Sequence, residues 1–192
     1  IFQGDLENTD DIQQAANGAD AAYFLVHAMS DGEDFVKKEK LLAENFVQAT
    51  HEVVKIIYLG GLLPQGNVSD HLKSRADVGE ILRFEGKTTE FRAGPIIGSG
   101  SASFEMVRYL TERIPIMVVP KWVKNEVQSV AIRNVIEYLV AALKIEPLGV
   151  VDIGADVLEF RGMMEQYANV RGLKRIMMPV PVLTPFLSGL WV

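Results

Sequence analysis

The residue types best suited to chemistry are His71 and Arg75, four positions apart in the segment SDHLKSR. Residues at this spacing share one helix face, and Val78 and Leu82 continue the row, so we expect it to point at the protein body. An imidazole exchanges a proton near neutral pH, and a guanidinium is a fixed cation for phosphate or carboxylate groups. A catalytic pair, a cofactor clamp and a solvated surface are the alternatives.

Structural roles also stay open for this segment. Ser69 is a good N-cap, and His71 in the first turn could simply hydrogen-bond a nearby carbonyl group. Arg75 could equally form a structural ion pair. Periodicity alone does not decide between these roles and a ligand-facing one.

The elements that must position this pair follow from an alternation of short apolar runs with segments of helical period. That pattern is typical of parallel strands buried by crossover helices. Strands are predicted at 21–26, 55–60, 88–93, 116–120 and 150–154, and helices at 32–50, 69–86, 103–114, 129–144 and 158–172. We therefore predict an α/β protein with a Rossmann-like, doubly wound parallel sheet.

Ligands of open parallel sheets bind beyond the carboxyl ends of the strands. The residues at those ends are Gly4, Asp5, Leu6, His27, Gly60, Gly61, Arg92, Gly94 and Pro95. Taken singly, each is more often part of a turn than of a site. Together, an acidic residue, glycines and polar groups suit a nucleotide cofactor.

Composition excludes several classes of function. The chain has 192 residues, a net charge of −6 and scattered rather than clustered basic residues, so a nucleic-acid partner is not expected. It has no cysteine, and its three histidines lie far apart, so no metal site is predicted. No apolar run approaches the roughly 18–20 residues of a membrane span, and we expect a soluble, cytoplasmic protein.

Glycine-rich motifs give a weaker signal. The sequence holds no G-x-G-x-x-G after a strand, and the spacing of GSGSASF, residues 98–104, fits neither the dinucleotide nor the P-loop pattern. We predict a tight turn there rather than a phosphate site. The opening IFQGDL is typical of the end of a buried strand followed by a turn, so we expect a glycine-rich segment to lie upstream.

Taken together, these motifs resemble the atypical short-chain dehydrogenase/reductase superfamily, and within it the NmrA-like, nucleoside-diphosphate-sugar epimerase-like NAD(P)-binding proteins. The resemblance covers nearly the whole chain. It rests on GDLEN, DAAYFLVHAM, YLGGLLP, SDHLKSRADVGEILR, FRAGPIIGSGSASFEMVRYLTERIP, WVKNEVQSVAIRNVIEYL and PVPVLTPFLSGLWV. It implies that an N-terminal glycine-rich βαβ segment and a C-terminal continuation are missing from these residues.

The resemblance also implies a cofactor, NAD or NADP, and the residues around it. Asp5 and Leu6 match the turn that contacts adenine. Val26, His27 and Ala28 match the strand end along the pyrophosphate and nicotinamide ribose, and Gly94, Pro95 and Ile96 match the loop over the nicotinamide. Residues 1–100 would be the remainder of the Rossmann domain and 101–192 a substrate-side lobe, with 128–154 returning to the sheet.

By the same resemblance, the catalytic residues of the family are replaced by other residue types in this sequence. Gly60 and Gly61 stand where active relatives carry a serine, and His71 and Arg75 stand where they carry a tyrosine and a lysine. One hypothesis is an NAD(P)-dependent oxidoreductase or epimerase-like enzyme, acting on an unknown small molecule, with His71 as acid/base and Arg75 holding the cofactor. The alternative is a non-catalytic NAD(P)-binding redox sensor or assembly factor.

Overall fold

The computed structural model describes residues 1–27, 34–64, 66 and 68–179. Its elements, in chain order, are α1 Thr9–Ala16, β1 Ala21–Phe24, α2 Asp34–Ala49, β2 Lys55–Gly61, α3 Asp70–Arg83, β3 Thr88–Ala93, β4 Ile96–Ile97, α4 Ala102–Arg113, β5 Ile116–Val119, a 3-10 turn Lys121–Lys124, β6 Glu126–Val127, β7 Val130–Ala131, α5 Ile132–Ala142, β8 Gly149–Ile153, β9 Leu158–Glu159, α6 Phe160–Val170 and β10 Ile176–Pro179. The chain divides into two compact units, Ile1–Ala93 with Arg133–Ile153, and Gly94–Ile132 with the chain from Gly154 onward.

The first unit is built on a four-stranded sheet in the order β1-β2-β3-β8. Every neighbouring pair is parallel, and Tyr58 at the centre of β2 lies opposite Phe24 on one side and Glu90 on the other. The prediction of an α/β fold with a parallel sheet is confirmed. The predicted strand at 88–93 coincides with β3, and those at 55–60 and 150–154 agree with β2 and β8 to within a residue.

One face of this sheet is covered by α1, α2 and α3, because each helix presents an apolar stripe to it. In α2 the stripe runs through Phe35, Leu42 and Phe46, all buried. It meets Ile56 and Tyr58 from β2, and Val78 and Leu82 from α3. Full burial of a side chain such as Leu82 contributes about 1.5–3 kcal/mol, so this cluster fixes the helices over the strands.

The second unit, as far as Pro179, contains three two-stranded sheets and the helices α4 and α6. β5 pairs in parallel with β10, β4 with β7, and β6 is antiparallel to β9. Its core is rich in methionine, a side chain that fills irregular space well. The buried members are Val107, Met117, Val119, Val123, Met163, Met164 and Met177.

The strand predicted at residues 116–120 is present as β5, outside the four-stranded sheet. β5 lies in the second unit and pairs with β10. Its side chains alternate, with Met117 and Val119 buried and Ile116 and Val118 exposed, as in a strand covered on one face. An apolar run predicts a strand well but does not say which sheet the strand joins.

The opening segment also differs from its prediction. Residues 1–5 carry no assigned strand, and Ile1 and Phe2 are exposed. The predicted turn is present at Leu6 and Glu7, and Asn8 then caps α1 by accepting a hydrogen bond from the backbone N–H of Asp10. No helix in the described part of the chain is long and apolar enough to span a bilayer.

Candidate functional site

The carboxyl ends of β1 and β2 and the first turns of α3 form the candidate site. α3 begins where its sequence predicts, because the Oγ atom of Ser69 accepts a hydrogen bond from the backbone N–H of Leu72, at 3.4 Å. The capped helix then brings His71 and Arg75 to the end of β2. His27 follows β1 at the same edge of the sheet.

Arg75 is held against the last residue of β2. A Cβ atom placed on Gly61 would lie 3.5 Å from the Cδ atom of Arg75 and 3.6 Å from its Nη1 atom. The backbone carbonyl of Arg75 accepts a hydrogen bond from the hydroxyl of Tyr58, at 3.1 Å. The guanidinium is therefore next to the strand end that the sequence assigned to a ligand site.

His71 lies on the same helix but in a different environment. Its ring stacks on Phe35 of α2, with centroids 4.5 Å apart and planes inclined by 25°. Val78 and Leu82, which follow on the same face of α3, are buried as expected, whereas His71 is exposed. His71 thus covers the buried Phe35 while its ring remains accessible to solvent.

His27 is a second imidazole at this edge. It is partly buried, and its ring meets the ring of Tyr58 edge to face, with 6.4 Å between centroids. Burial lowers the pKa of His27 and the guanidinium of Arg75 lowers it further, while the carboxylate of Glu39 opposes both. We therefore expect a neutral imidazole at pH 7.

Glu39 and Ser74 belong to this region, although the sequence did not single them out. The Oγ atom of Ser74 donates a hydrogen bond to the Oε2 atom of Glu39, at 2.5 Å, between α3 and α2. Glu39 is 6% exposed and Ser74 2%. The available signal was the carboxylate of Glu39 within the apolar stripe of α2, one helical turn after Phe35.

A second buried carboxylate explains why Gly60 carries no side chain. Glu90, 1% exposed, pairs with Arg83 and with the Nε atom of Arg92, the latter at 2.7 Å. A Cβ atom on Gly60 would lie 3.1 Å from Oε1 of Glu90 and 3.2 Å from the ring of Tyr58. A serine side chain at position 60 would therefore crowd Glu90 and Tyr58, which would have to shift by a few tenths of an ångström.

The turn containing Asp5 and Leu6 lies at a separate place in the first unit. The Oδ1 atom of Asp5 accepts a hydrogen bond from the backbone N–H of Glu7, at 2.9 Å, and the side-chain amide of Asn45 donates to the carbonyl of Leu6, at 3.1 Å. The turn borders a cavity of about 360 Å³. The lining is mostly small and apolar and comprises Phe2, Gly4, Asp5, Leu6, Asp11, Ile12, Ala15, Ala16, Ala19, Ala21, Ala22, Phe46 and Thr50.

The remaining candidates are Val26, Ala28, Gly94, Pro95 and Ile96. Val26 is exposed, and Ala28 lies outside the described residues. Gly94, Pro95 and Ile96 belong to the second unit, where the carbonyl of Pro95 accepts a hydrogen bond from the N–H of Val130, at 3.1 Å, and Ile96 pairs with the same residue. A Cβ atom on Gly94 would overlap the carbonyl oxygen of Gln128.

The donor and acceptor set of the first unit fits a nicotinamide dinucleotide. Arg75 offers guanidinium N–H donors for ribose or phosphate oxygens, and neutral His27 offers one donor and one acceptor. Asp5 offers a carboxylate that can accept from a hydroxyl or amine. Among the described residues, no group of three or more histidine, aspartate or glutamate side chains could hold a metal ion.

Comparisons with known proteins agree with this architecture. The chain is similar to the UDP-N-acetylglucosamine 4-epimerase of Bacillus cereus, with a TM-score of 0.75, 14% identity, and coverage of 95% of this chain and 73% of that one. It is similar to the UDP-glucose 4-epimerase of Thermotoga maritima, solved with UDP-glucose, with a TM-score of 0.73, 12% identity and coverages of 96% and 72%.

A third similar structure is the UDP-glucose 4-epimerase of Thermus thermophilus in complex with NAD. The TM-score is 0.68, the identity 16%, and the coverage 100% of this chain and 78% of that chain. No family model matches the sequence, and no curated protein matches it. The chain therefore has a Rossmann-like α/β fold, similar to the fold of the nucleotide-sugar epimerases in these structures.

Proposed function

We propose that this protein binds NAD or NADP and performs epimerase-like or oxidoreductase chemistry on a small molecule. The observation that carries the proposal is the position of Arg75. Its side chain lies against Gly61 at the carboxyl end of β2, in a region that also holds His27. In open parallel sheets, that edge is where ligands bind.

Each residue has a specific role in this proposal. Arg75 donates hydrogen bonds to ribose or phosphate oxygens of the dinucleotide and cannot itself release a proton. His71, exposed on the first turn of α3, exchanges the proton of a substrate hydroxyl. The bound nicotinamide supplies the hydride acceptor or donor. The remaining cofactor residues are Asp5, Leu6, Val26, His27, Ala28, Gly60, Gly61, Gly94, Pro95 and Ile96.

A second candidate function is dinucleotide binding without catalysis, as in a redox sensor or assembly factor. It is favoured by the packing around Gly60, where a substrate-orienting serine would crowd Glu90 and Tyr58. The stacking of His71 on Phe35 also gives that histidine a structural role that needs no catalysis. Under this candidate, Arg75 keeps its role and His71 does not.

Calorimetric titration with NAD and NADP tests the binding step. We expect Arg75→Gln to weaken binding about 10- to 100-fold, the worth of a charged hydrogen bond. Arg108→Gln, on the exposed side of α4, is the matched control and should leave affinity unchanged. Absence of binding of either nucleotide to the unaltered protein would refute both functions.

Turnover separates the two candidates. With UDP-sugars as probes and bound nucleotide reduction as the signal, we expect His71→Gln to abolish the reaction and His51→Gln, an exposed control beyond α2, to retain it. Dinucleotide binding without turnover of any nucleotide sugar would favour the sensor. Equal turnover in His71→Gln would remove the acid/base role.

A further inference from the structure

We propose that Glu39 is a positioning residue of the candidate site: through Ser74 it fixes Arg75 at the end of β2. This inference deepens the proposed function and rests on the same site. It assigns a role to a buried carboxylate that the binding and proton-transfer roles above do not use.

The positioning role of Glu39 follows from the order of residues in α3. Ser74 immediately precedes Arg75, and its hydroxyl is bound to Glu39 of α2 at 2.5 Å. The carbonyl of Arg75 is bound to the hydroxyl of Tyr58 in β2 at 3.1 Å. The backbone around Arg75 is thus tied to α2 on one side and to β2 on the other, which restricts rotation of α3 about its axis.

The charges around His27 support this placement. Arg75 of α3 disfavours positive charge on its imidazole and Glu39 of α2 favours it, while the ring of Tyr58 from β2 lies edge to face with the imidazole. Tyr58 experiences the same opposing pair, since Arg75 lowers its pKa and Glu39 raises it, although burial dominates. One carboxylate therefore offsets one guanidinium at this edge.

A carboxylate at position 39 is costly for packing alone. Phe35, Leu42 and Phe46 place Glu39 on the buried face of α2, where an ionised group loses hydration that a hydrogen bond recovers only in part. Apolar residues of similar volume in place of buried charges are often neutral or stabilising. The hydrogen bond from Ser74 to this carboxylate connects α2 to the residue that precedes Arg75.

NMR titration of the His27 imidazole, without nucleotide, tests whether the carboxylate of Glu39 lies at this edge of the sheet. In Glu39→Gln we expect the pKa of His27 to fall further below its usual value, because the opposing negative charge is gone. Glu44→Gln, exposed on the same helix, should leave the titration unchanged. If Glu39→Gln does not fold, Glu39→Met removes the same charge with an apolar side chain. Coincident His27 titrations with and without the Glu39 charge would overturn the proposal.

The Nε–H resonance of Arg75 tests whether Ser74 helps to position the guanidinium. We expect it to move in Ser74→Ala, to return in Ser74→Thr, which keeps a hydroxyl, and to stay in the exposed control Lys73→Ala. An unmoved resonance in Ser74→Ala would overturn the positioning role. In the protein with nucleotide added, Ser74→Ala should raise the dissociation constant several-fold with little change in the His27 titration, a split that general destabilisation does not produce.

These outcomes are distinct from those of the proposed function. The two resonances are measured without a cofactor, so they support or overturn the role of Glu39 even in a protein that binds no dinucleotide. Conversely, dinucleotide binding that depends on Arg75 but not on Ser74 would support the proposed function and contradict the positioning role.

Discussion

Replacement of Gly79 by alanine tests how tightly the buried charges are packed under α3. A Cβ atom on Gly79 would lie 2.7 Å from both the Cδ and Oε1 atoms of Glu90. Glu90 cannot swing into solvent to relieve this overlap, because it is 1% exposed and paired with Arg83 and Arg92. The added methyl group must therefore displace a carboxylate that holds two guanidinium groups.

Two effects oppose each other in this variant. Alanine is about 1 kcal/mol better than glycine inside a helix. Overpacking of a filled site costs about 1–3 kcal/mol, and any loosening of the buried ion pairs adds to that cost. We expect the steric effect to win and Gly79→Ala to lower the free energy of unfolding by about 2 kcal/mol, which is roughly 4–8 °C in Tm for a chain of this length.

Calorimetric melting of Gly79→Ala beside Gly162→Ala provides the measurement and its control. Gly162 is also helical, the third residue of α6, but its added Cβ would meet only Leu158, at 3.9 Å. That change should raise stability by about 0.5 kcal/mol. In a Glu90→Ala background the cost of Gly79→Ala should shrink, since the two positions are in contact. A Gly79→Ala protein as stable as the unaltered one would refute the packing argument.

Two further predictions concern the imidazole at the sheet edge and the cap of α4. Folding lowers the pKa of His27, so the unfolded chain takes up a proton at a higher pH than the folded chain does. The free energy of unfolding should therefore fall as the pH drops below about 6.5, and chemical denaturation should show a weaker fall in His27→Gln. Ser101→Ala should destabilise the second unit by about 1 kcal/mol, because Ser101 caps α4 and its hydroxyl donates a hydrogen bond to the carbonyl of Ile96, at 2.6 Å. Urea denaturation measures this loss, and the exposed control Ser103→Ala should match the unaltered protein.

The fold could be predicted because its signals are local. The apolar run around Ile56 is too short for a helix and too apolar for an exposed strand, and the stripe from Phe35 to Phe46 has helical period. The cap at Ser69 marked the start of α3. Strand partners were harder, since the pairing of Ile116 with Ile176 depends on contacts far apart in the sequence that no local pattern encodes.

The site was only partly accessible to the same reasoning. Helical spacing put His71 and Arg75 on one row, yet it could not say that His71 stacks on Phe35 while Arg75 reaches Gly61. Glu39 and Glu90 were missed because a single charge in an apolar pattern gives no indication of its partner. Whether Gly94, Pro95 and Ile96 contact a cofactor remains a prediction.

The packing of Glu90 beside Gly60 constrains how this sequence can change. A serine placed at position 60 alone meets the carboxylate of Glu90 and the ring of Tyr58. Removal of Glu90 first leaves Arg83 and Arg92 without their shared carboxylate. Each of these single substitutions is therefore expected to be unfavourable, and a hydroxyl at this strand end is best tolerated when positions 60 and 90 change together.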